Sequence, residues 1–278
     1  MSAKGEGGSV RDAIAAAAAQ FDFSATPRLD AELLMAHALG ITREALLLGH
    51  LAGSVPPGFA ALARRRVTHE PVAYLTGSRA FWTIELAVGP GVLVPRADSE
   101  TLLEAAVAHF ADRAPVHVLD LGTGPGTLLL AALDQWPGAT GLGIDASAPA
   151  LGSARRNAER LGLAGRAAFR EGDWAGGVDE RFDLILANPP YIGTAEPLPA
   201  EVRDHEPAAA LFAGADGLDA YRAIVPALPR LLAPGGIACL ESGATQGPAV
   251  AAMVAAAGLA VGVRRDLGDR DRCVTATA

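Results

Sequence analysis

The apolar positions of this chain follow two periods. Up to about residue 75 the spacing is helical. Ser9, with Asp12 three positions on, predicts a helix start, and Val10, Ile14 and Phe21 keep one face through an alanine run. Thr26-Pro27 predicts a second helix with proline in its first turn, Asp30 close behind, an apolar face of Leu29, Leu33, Leu34 and Ala36, and Gly40 as its stop. Thr42 opens a third, short helix. After Pro56-Pro57-Gly58 a fourth carries Leu62 and Val67 towards Glu70-Pro71, and a fifth precedes Gly77. This region is expected to be a small helical bundle. Its His37, His50 and His69 lack the spacing of metal ligands and read as packing or surface residues.

Beyond it the pattern becomes that of strands. Phe81 to Val88 alternates, Gly89-Pro90-Gly91 offers a turn, and Val92 to Pro95 returns, which predicts a β-hairpin linker. A helix follows Ser99-Glu100, with Leu102, Leu103, Ala106 and Phe110 on one side. Strands are then expected at 116–121, 140–145, 167–170, before Asn188 and at 237–241, with helices between them and two closing segments after them. Such alternation means an α/β fold, a mostly parallel sheet with helices on both faces, which binds ligands outside the carboxyl ends of its strands. The expected organisation is a helical bundle over 1–78, a hairpin linker over 79–95 and an α/β domain over 96–278.

Charge and cysteine usage narrow the function classes. The 278 residues carry a formal charge of −8, and Lys4 is the sole lysine among 23 basic residues. The only dense basic run is Arg64-Arg65-Arg66, which argues against nucleic-acid binding. Cys239 and Cys273 stand far apart with no CxxC, so neither a disulfide framework nor a metal site is expected. The start, with Lys4, Glu6, Arg11 and Asp12, lacks the charge order of a signal peptide, and no stretch reaches about 18 apolar residues without a charge. A soluble, cytoplasmic and monomeric protein is expected.

Four short stretches carry chemistry. Leu119-Asp120-Leu121 runs into Gly122-Thr123-Gly124-Pro125-Gly126 and on into a helix, a turn that lets a ligand approach the backbone at a helix N-terminus. A tight strand-to-helix turn is the bland alternative. Asp145 ends the next strand, placed to accept from ribose hydroxyls, so a nucleoside-bearing ligand is the economical reading. After the third strand, Asp173-Trp174 offers a carboxylate and a flat ring where an adenine would lie, unless Trp174 is simply a core aromatic. Asn188-Pro189-Pro190-Tyr191 ends the fourth. Its prolines stiffen the exit and remove two N–H donors, leaving carbonyls and an amide side chain in an acceptor-rich pocket, or else a plain strand-capping turn.

Together these stretches resemble an S-adenosylmethionine-dependent methyltransferase of the seven-stranded, Rossmann-like type. NPPY in that class is typical of enzymes that methylate an NH2 group on a flat sp² carbon, either adenine N6 or a glutamine side chain. Further motifs separate the two. Glu70-Pro71-Val72-Ala73-Tyr74-Leu75-Thr76-Gly77, Phe81-Trp82, Val92-Leu93-Val94-Pro95-Arg96 and Asp30-Ala31-Glu32-Leu33-Leu34 resemble the HemK-type (PrmC-type) glutamine methyltransferases of peptide chain release factors. So do Glu206-Pro207, Pro234-Gly235-Gly236 and Asp269-Arg270, and the likeness spans nearly the whole chain. The resemblance implies that the front domain and hairpin dock the release factor. It also implies that Gly122 to Gly126, Asp145, Asp173, Trp174 and Asn188 hold S-adenosyl-L-methionine, while Asn188, Pro189, Pro190 and Tyr191 hold the glutamine of a Gly-Gly-Gln loop. Asn188 and Pro189 are the implied catalytic groups. A ribosomal-protein glutamine methyltransferase is the nearest alternative and an adenine-N6 methyltransferase a more distant one. The chain departs from the family pattern at Ala97-Asp98-Ser99 and at Ser242, which leaves those positions without an implied role.

Overall fold

Seven strands form one sheet in the computed structural model, which describes residues 8–278; Lys4 and Glu6 lie outside the described residues. In chain order the strands are β1 (Ser78–Phe81), β2 (Ile84–Ala87), β3 (His117–Leu121), β4 (Thr140–Asp145), β5 (Ala167–Glu171), β6 (Phe182–Ala187), β7 (Leu232–Glu241), β8 (Ala260–Arg265) and β9 (Asp271–Thr277). The large sheet runs β5-β4-β3-β6-β7-β9-β8, and β1 pairs with β2 in a separate two-stranded sheet. Strands β3 to β7 pair in parallel with one another, whereas β9 is antiparallel to both β7 and β8. The mostly parallel α/β sheet expected from the alternation is therefore present, and with it the seven-stranded, Rossmann-like architecture that the resemblance implied. Its central strands read as unbroken apolar runs because both faces are covered: Leu184, Ile185, Leu186 and Ala187 of β6 are fully buried.

Register decides what meets at the carboxyl edge. Leu121 lies opposite both Ile144 and Ala187, and Ala187 lies opposite Leu240. Gly122, Asp145, Asn188 and Glu241 thus leave the sheet at nearly one level. From β3 the chain winds outward through β4 and β5, then returns to lay β6 on the other side of β3. That reversal opens the crevice where doubly wound sheets bind ligands.

The chain divides into two units. The larger comprises Arg79–Leu198 and Glu206–Ala278, and the smaller comprises the residues up to Ser78 joined by Pro199–His205. In the smaller unit, helix Val10–Ala18 starts with a reciprocal capping box between Ser9 and Asp12, and helix Pro27–Leu39 ends at Gly40 with φ 66°. Helices Phe59–Val67 and Val72–Thr76 follow, and Val10, Ile14, Phe21, Leu34, Met35, Leu46 and Phe59 form the core. Two apolar assignments are corrected. Leu29 and Val67 face solvent, while Asp30, Glu32 and Arg66 are buried. Charge pairing explains the exchange: Arg66 grips Asp30 Oδ2 through Nε and Nη2 at 3.0 and 2.8 Å, donates to the Glu70 carbonyl at 3.0 Å, and reaches Glu201 Oε2 at 2.8 Å.

The hairpin also sits elsewhere than expected. The strands are β1 and β2, so the chain reverses at Trp82-Thr83, and Val92 to Pro95 is not a strand. Trp82 takes the left-handed φ of 54°, which is costly for a side chain of this size. Three contacts hold it there: its backbone N–H donates to Glu100 Oε1 (2.9 Å), its indole N–H donates to Gln135 Oε1 (3.0 Å), and Thr83 donates to Asp134 Oδ2 (2.6 Å). Such long-range anchors override the local turn signal of Gly89-Pro90-Gly91. Among the described residues no helix is long and apolar enough to cross a membrane.

Candidate active site

The crevice beside β3 and β6 is a cavity of about 360 Å³. Gly122, Thr123, Gly124, Pro125, Asp145, Asp173, Trp174, Asn188 and Pro190 line it, so most residues singled out in the sequence converge there. Gly126, Pro189 and Tyr191 are not part of that lining. Gly126 instead has a packing role, since at φ 87° a Cβ would stand 2.8 Å from Leu130 of the following helix, Thr127–Gln135. Gly122, at φ 74°, lies under the Trp174 ring, which a Cβ would approach to 3.3 Å. Trp174 both packs on the core and lines the cavity, so the two readings offered for it are compatible.

The loop is held by carboxylates. Asp145 accepts the Gly124 N–H on Oδ2 and the Ser147 N–H on Oδ1, each at 2.8 Å. It is only half-buried, and each oxygen retains a lone pair for a hydroxyl. Asp120, at 1% exposure, accepts Thr123 Oγ1 at 2.6 Å and the Leu129 N–H at 3.2 Å on Oδ2, yet among the described residues its Oδ1 has no hydrogen-bond partner. Burial raises its pKa to about 7, against the two hydrogen bonds that pull it down, and the nearby Asp145 charge pushes the same way as burial. Asp120 is part of the cavity lining, and a buried carboxyl beside the cavity with one unmatched oxygen fits a cationic group.

Two further residues fasten the rim. Asn157 is buried and clasps β2, donating to the Ala87 carbonyl (3.1 Å) and accepting from the Ala87 N–H (2.8 Å), while also donating to the Pro125 carbonyl (3.0 Å). Glu206 accepts the Val94 N–H at 3.1 Å and pairs with Arg96, fixing the non-strand segment whose Pro95 and Arg96 line the cavity.

Below Asn188 lies a small polar cluster. Asn188 Nδ2 donates to Ser99 Oγ at 3.1 Å, and Ser99 lies close enough to the Glu241 carboxyl to pull its pKa down. The Tyr191 hydroxyl is turned to Glu241 Oε1 at 3.4 Å, and Tyr221 donates to the Glu241 carbonyl at 2.7 Å. Burial lifts the Glu241 pKa to about 7, against the opposing pull of Ser99, Arg272 and Tyr191, while Tyr191 itself is pushed up to about 12, mainly by burial. Among the described residues, Glu241 Oε2 and Ser242 Oγ are buried without hydrogen-bond partners.

This geometry can be set beside known proteins. A model described as "Methyltransferase domain" matches residues 112–260, and one described as "PrmC N-terminal domain" matches residues 12–77. A release factor glutamine methyltransferase from Cereibacter sphaeroides is 47% identical over 255 residues, covering 89% of this chain and 90% of that protein. The chain belongs to the release factor glutamine methyltransferase family. Its counterpart in Rhodospirillum rubrum is 44% identical, over 90% of this chain and 78% of the other. Among solved structures, a T. thermophilus 16S rRNA N2 G1207 methyltransferase, solved with AdoMet and guanosine, aligns with TM-score 0.53 and 23% identity over 72% of this chain and 49% of the other. A ribosomal protein L11 methylase from Lactobacillus delbrueckii subsp. bulgaricus aligns with TM-score 0.50 and 20% identity, over 66% of this chain and 79% of that one. At these identities the two structures support the fold alone.

Sequence reasoning did not find Asp120, Asn157, Ser99 or Glu241 as site residues. Asp120 stood inside the quoted strand and could have been suspected as a charge in an otherwise apolar run. The other three act through partners distant in sequence and had no local signal.

Proposed function

We propose that this chain methylates the side-chain amide nitrogen of the glutamine in the Gly-Gly-Gln motif of peptide chain release factors, using S-adenosylmethionine. The observation that carries the reading is the cavity shared by the glycine loop and Asn188, in a chain of this family. The residues suit such a donor: Asp120 brings a buried carboxyl with an unmatched oxygen beside a cation, Asp145 an acceptor for ribose hydroxyls, and Trp174 a flat ring for the base. When bound, S-adenosylmethionine supplies an electrophilic methyl group on a sulfonium.

The remaining task falls to the protein. An amide nitrogen is a weak nucleophile because its lone pair is delocalised into the carbonyl, the effect that makes the peptide unit planar. If Asn188 Oδ1 and the Pro189 carbonyl accept its two N–H bonds, the nitrogen can pyramidalise and turn its lone pair towards the methyl carbon. That is catalysis by positioning and electrostatics, with no strong base required before transfer. The nitrogen sheds its extra proton afterwards, to solvent. The helical front domain and the hairpin supply the docking surface for the release factor.

The test offers labelled S-adenosylmethionine with a release factor, its Gln→Ala variant, a ribosomal protein and DNA, and locates the label by mass spectrometry. Label confined to the Gly-Gly-Gln glutamine is expected. Label that persists in the Gln→Ala factor, or that appears on DNA adenine instead, would overturn the reading. With Asn188→Ala, turnover should fall on the order of 10²–10³-fold, while calorimetry finds cofactor affinity little changed.

A further inference from the structure

Asparagine can present either end of its amide to a ligand, and only the oxygen end can accept the N–H bonds of a substrate amide. Something must therefore fix which way Asn188 faces. Its Nδ2 donates to Ser99 Oγ at 3.1 Å, and Ser99 is buried at the last position of the short turn Ala97–Ser99 while also lining the cavity. A serine hydroxyl could equally donate to Asn188 Oδ1, so the amide orientation depends on where the hydroxyl proton goes. The Glu241 carboxyl decides this. It ends β7, and its neighbour Leu240 pairs with Ala187, so it stands beside Asn188 on the adjacent strand. It lies close enough to Ser99 for the serine to lower its pKa, is wholly buried, and carries an oxygen, Oε2, that has no hydrogen-bond partner among the described residues and is free to accept.

We propose that Ser99 is a positioning residue for methyl transfer: with its proton held by Glu241, its oxygen can only accept, which turns Asn188 Nδ2 inward and offers Oδ1 to the substrate. The proposal rests on the amide-methylation reading and adds to it a specificity device that favours donor-rich NH2 substrates. Tyr191, directed at the same carboxyl, supports the cluster from the other side. The position was left without a role by the sequence because the hydrogen bond spans 89 residues.

Two measurements on the full chain test it. In steady-state methylation of the release factor, Ser99→Ala should lower kcat on the order of 10–100-fold, with KM for the release factor and cofactor affinity within about twofold of wild type. Ser99→Thr, which keeps the hydroxyl, should restore most of kcat. Ser99→Cys keeps the shape with a much weaker acceptor and should fall between the two, which covers the case of a poorly folded alanine variant. Independently of any substrate, the Asn188 side-chain NH2 signal in an NMR spectrum, assigned by its loss in Asn188→Ala, should be protected from exchange in wild type and exposed in Ser99→Ala. An unchanged signal, or wild-type kcat in Ser99→Ala, overturns the proposal. A wild-type enzyme that leaves the release factor unlabelled sinks the substrate reading alone, since the NMR measurement still reports on Ser99.

Discussion

Both units bury charge, and one cluster in each does so in opposite ways. In the smaller unit Arg66, at 2% exposure, meets Asp30, Glu201 and the Glu70 carbonyl, so its donors are well used and Asp30 is matched. In the larger unit Asp120 and Glu241 are as deeply buried, yet each has one carboxyl oxygen with no hydrogen-bond partner among the described residues. Buried polar groups are normally satisfied, because an unmet one costs roughly 1–3 kcal/mol. The contrast separates two uses of charge. A closed network holds helices together, and an open one is poised for a ligand or for a neighbour that must be aimed.

The largest effect should come from opening the closed network. Arg66→Met would leave Asp30 buried beside no cation, and loss of one member of a buried pair costs about 3–5 kcal/mol. Urea denaturation should show that loss, and a change below about 1 kcal/mol would mean that Asp30 and Glu201 are resolvated easily.

Asp120→Asn should behave differently. The folded carboxyl keeps its proton up to about 7, whereas the unfolded one releases it near 3.8. Between those values the folded state binds more protons, so stability falls as pH rises through this window. The amide variant never ionises and should lack that slope, gaining up to a few kcal/mol near pH 7–8 at about 1.4 kcal/mol per pKa unit. S-adenosylmethionine, a cation, favours the ionised form, so wild-type affinity should tighten on the order of tenfold from pH 6 to pH 8. Calorimetry across that range should find the variant weaker and nearly independent of pH.

The smallest effect sharpens the distinction within the helical unit. Glu32 is buried between Arg28 at 2.8 Å and Arg43 at 2.7 Å, and Arg28 is largely exposed. Arg28→Ala leaves Arg43 in place and should cost about 0.2–1 kcal/mol, read from the same denaturation curves.

What the sequence revealed follows from the range of each interaction. The alternation of strands and helices, the Gly122-to-Gly126 turn and the Asn188-to-Tyr191 run are contiguous, so periodicity and local motif exposed them. The hairpin was displaced because the residues that hold Trp82 in its left-handed conformation, Glu100 and Gln135, come from later helices. Leu29 looked like core because its periodicity was right, and the buried pairing of Asp30 with Arg66 spans 36 residues. Ser99, Asn157 and Glu241 share that limit, being placed by partners from other elements.

The segment Pro199–His205 gives the protein an unusual modularity. Because these residues join the front helices through Glu201 and Arg66, and through His205 Nε2 with the Thr68 carbonyl at 3.1 Å, neither unit is one uninterrupted stretch of chain. Three peptide crossings connect them, and recombination at any single point cannot exchange one unit whole. A chimera that replaces only the first 78 residues would ask a foreign bundle to accept this enzyme's Glu201, whereas one that carries 199–205 along would transplant a self-consistent module.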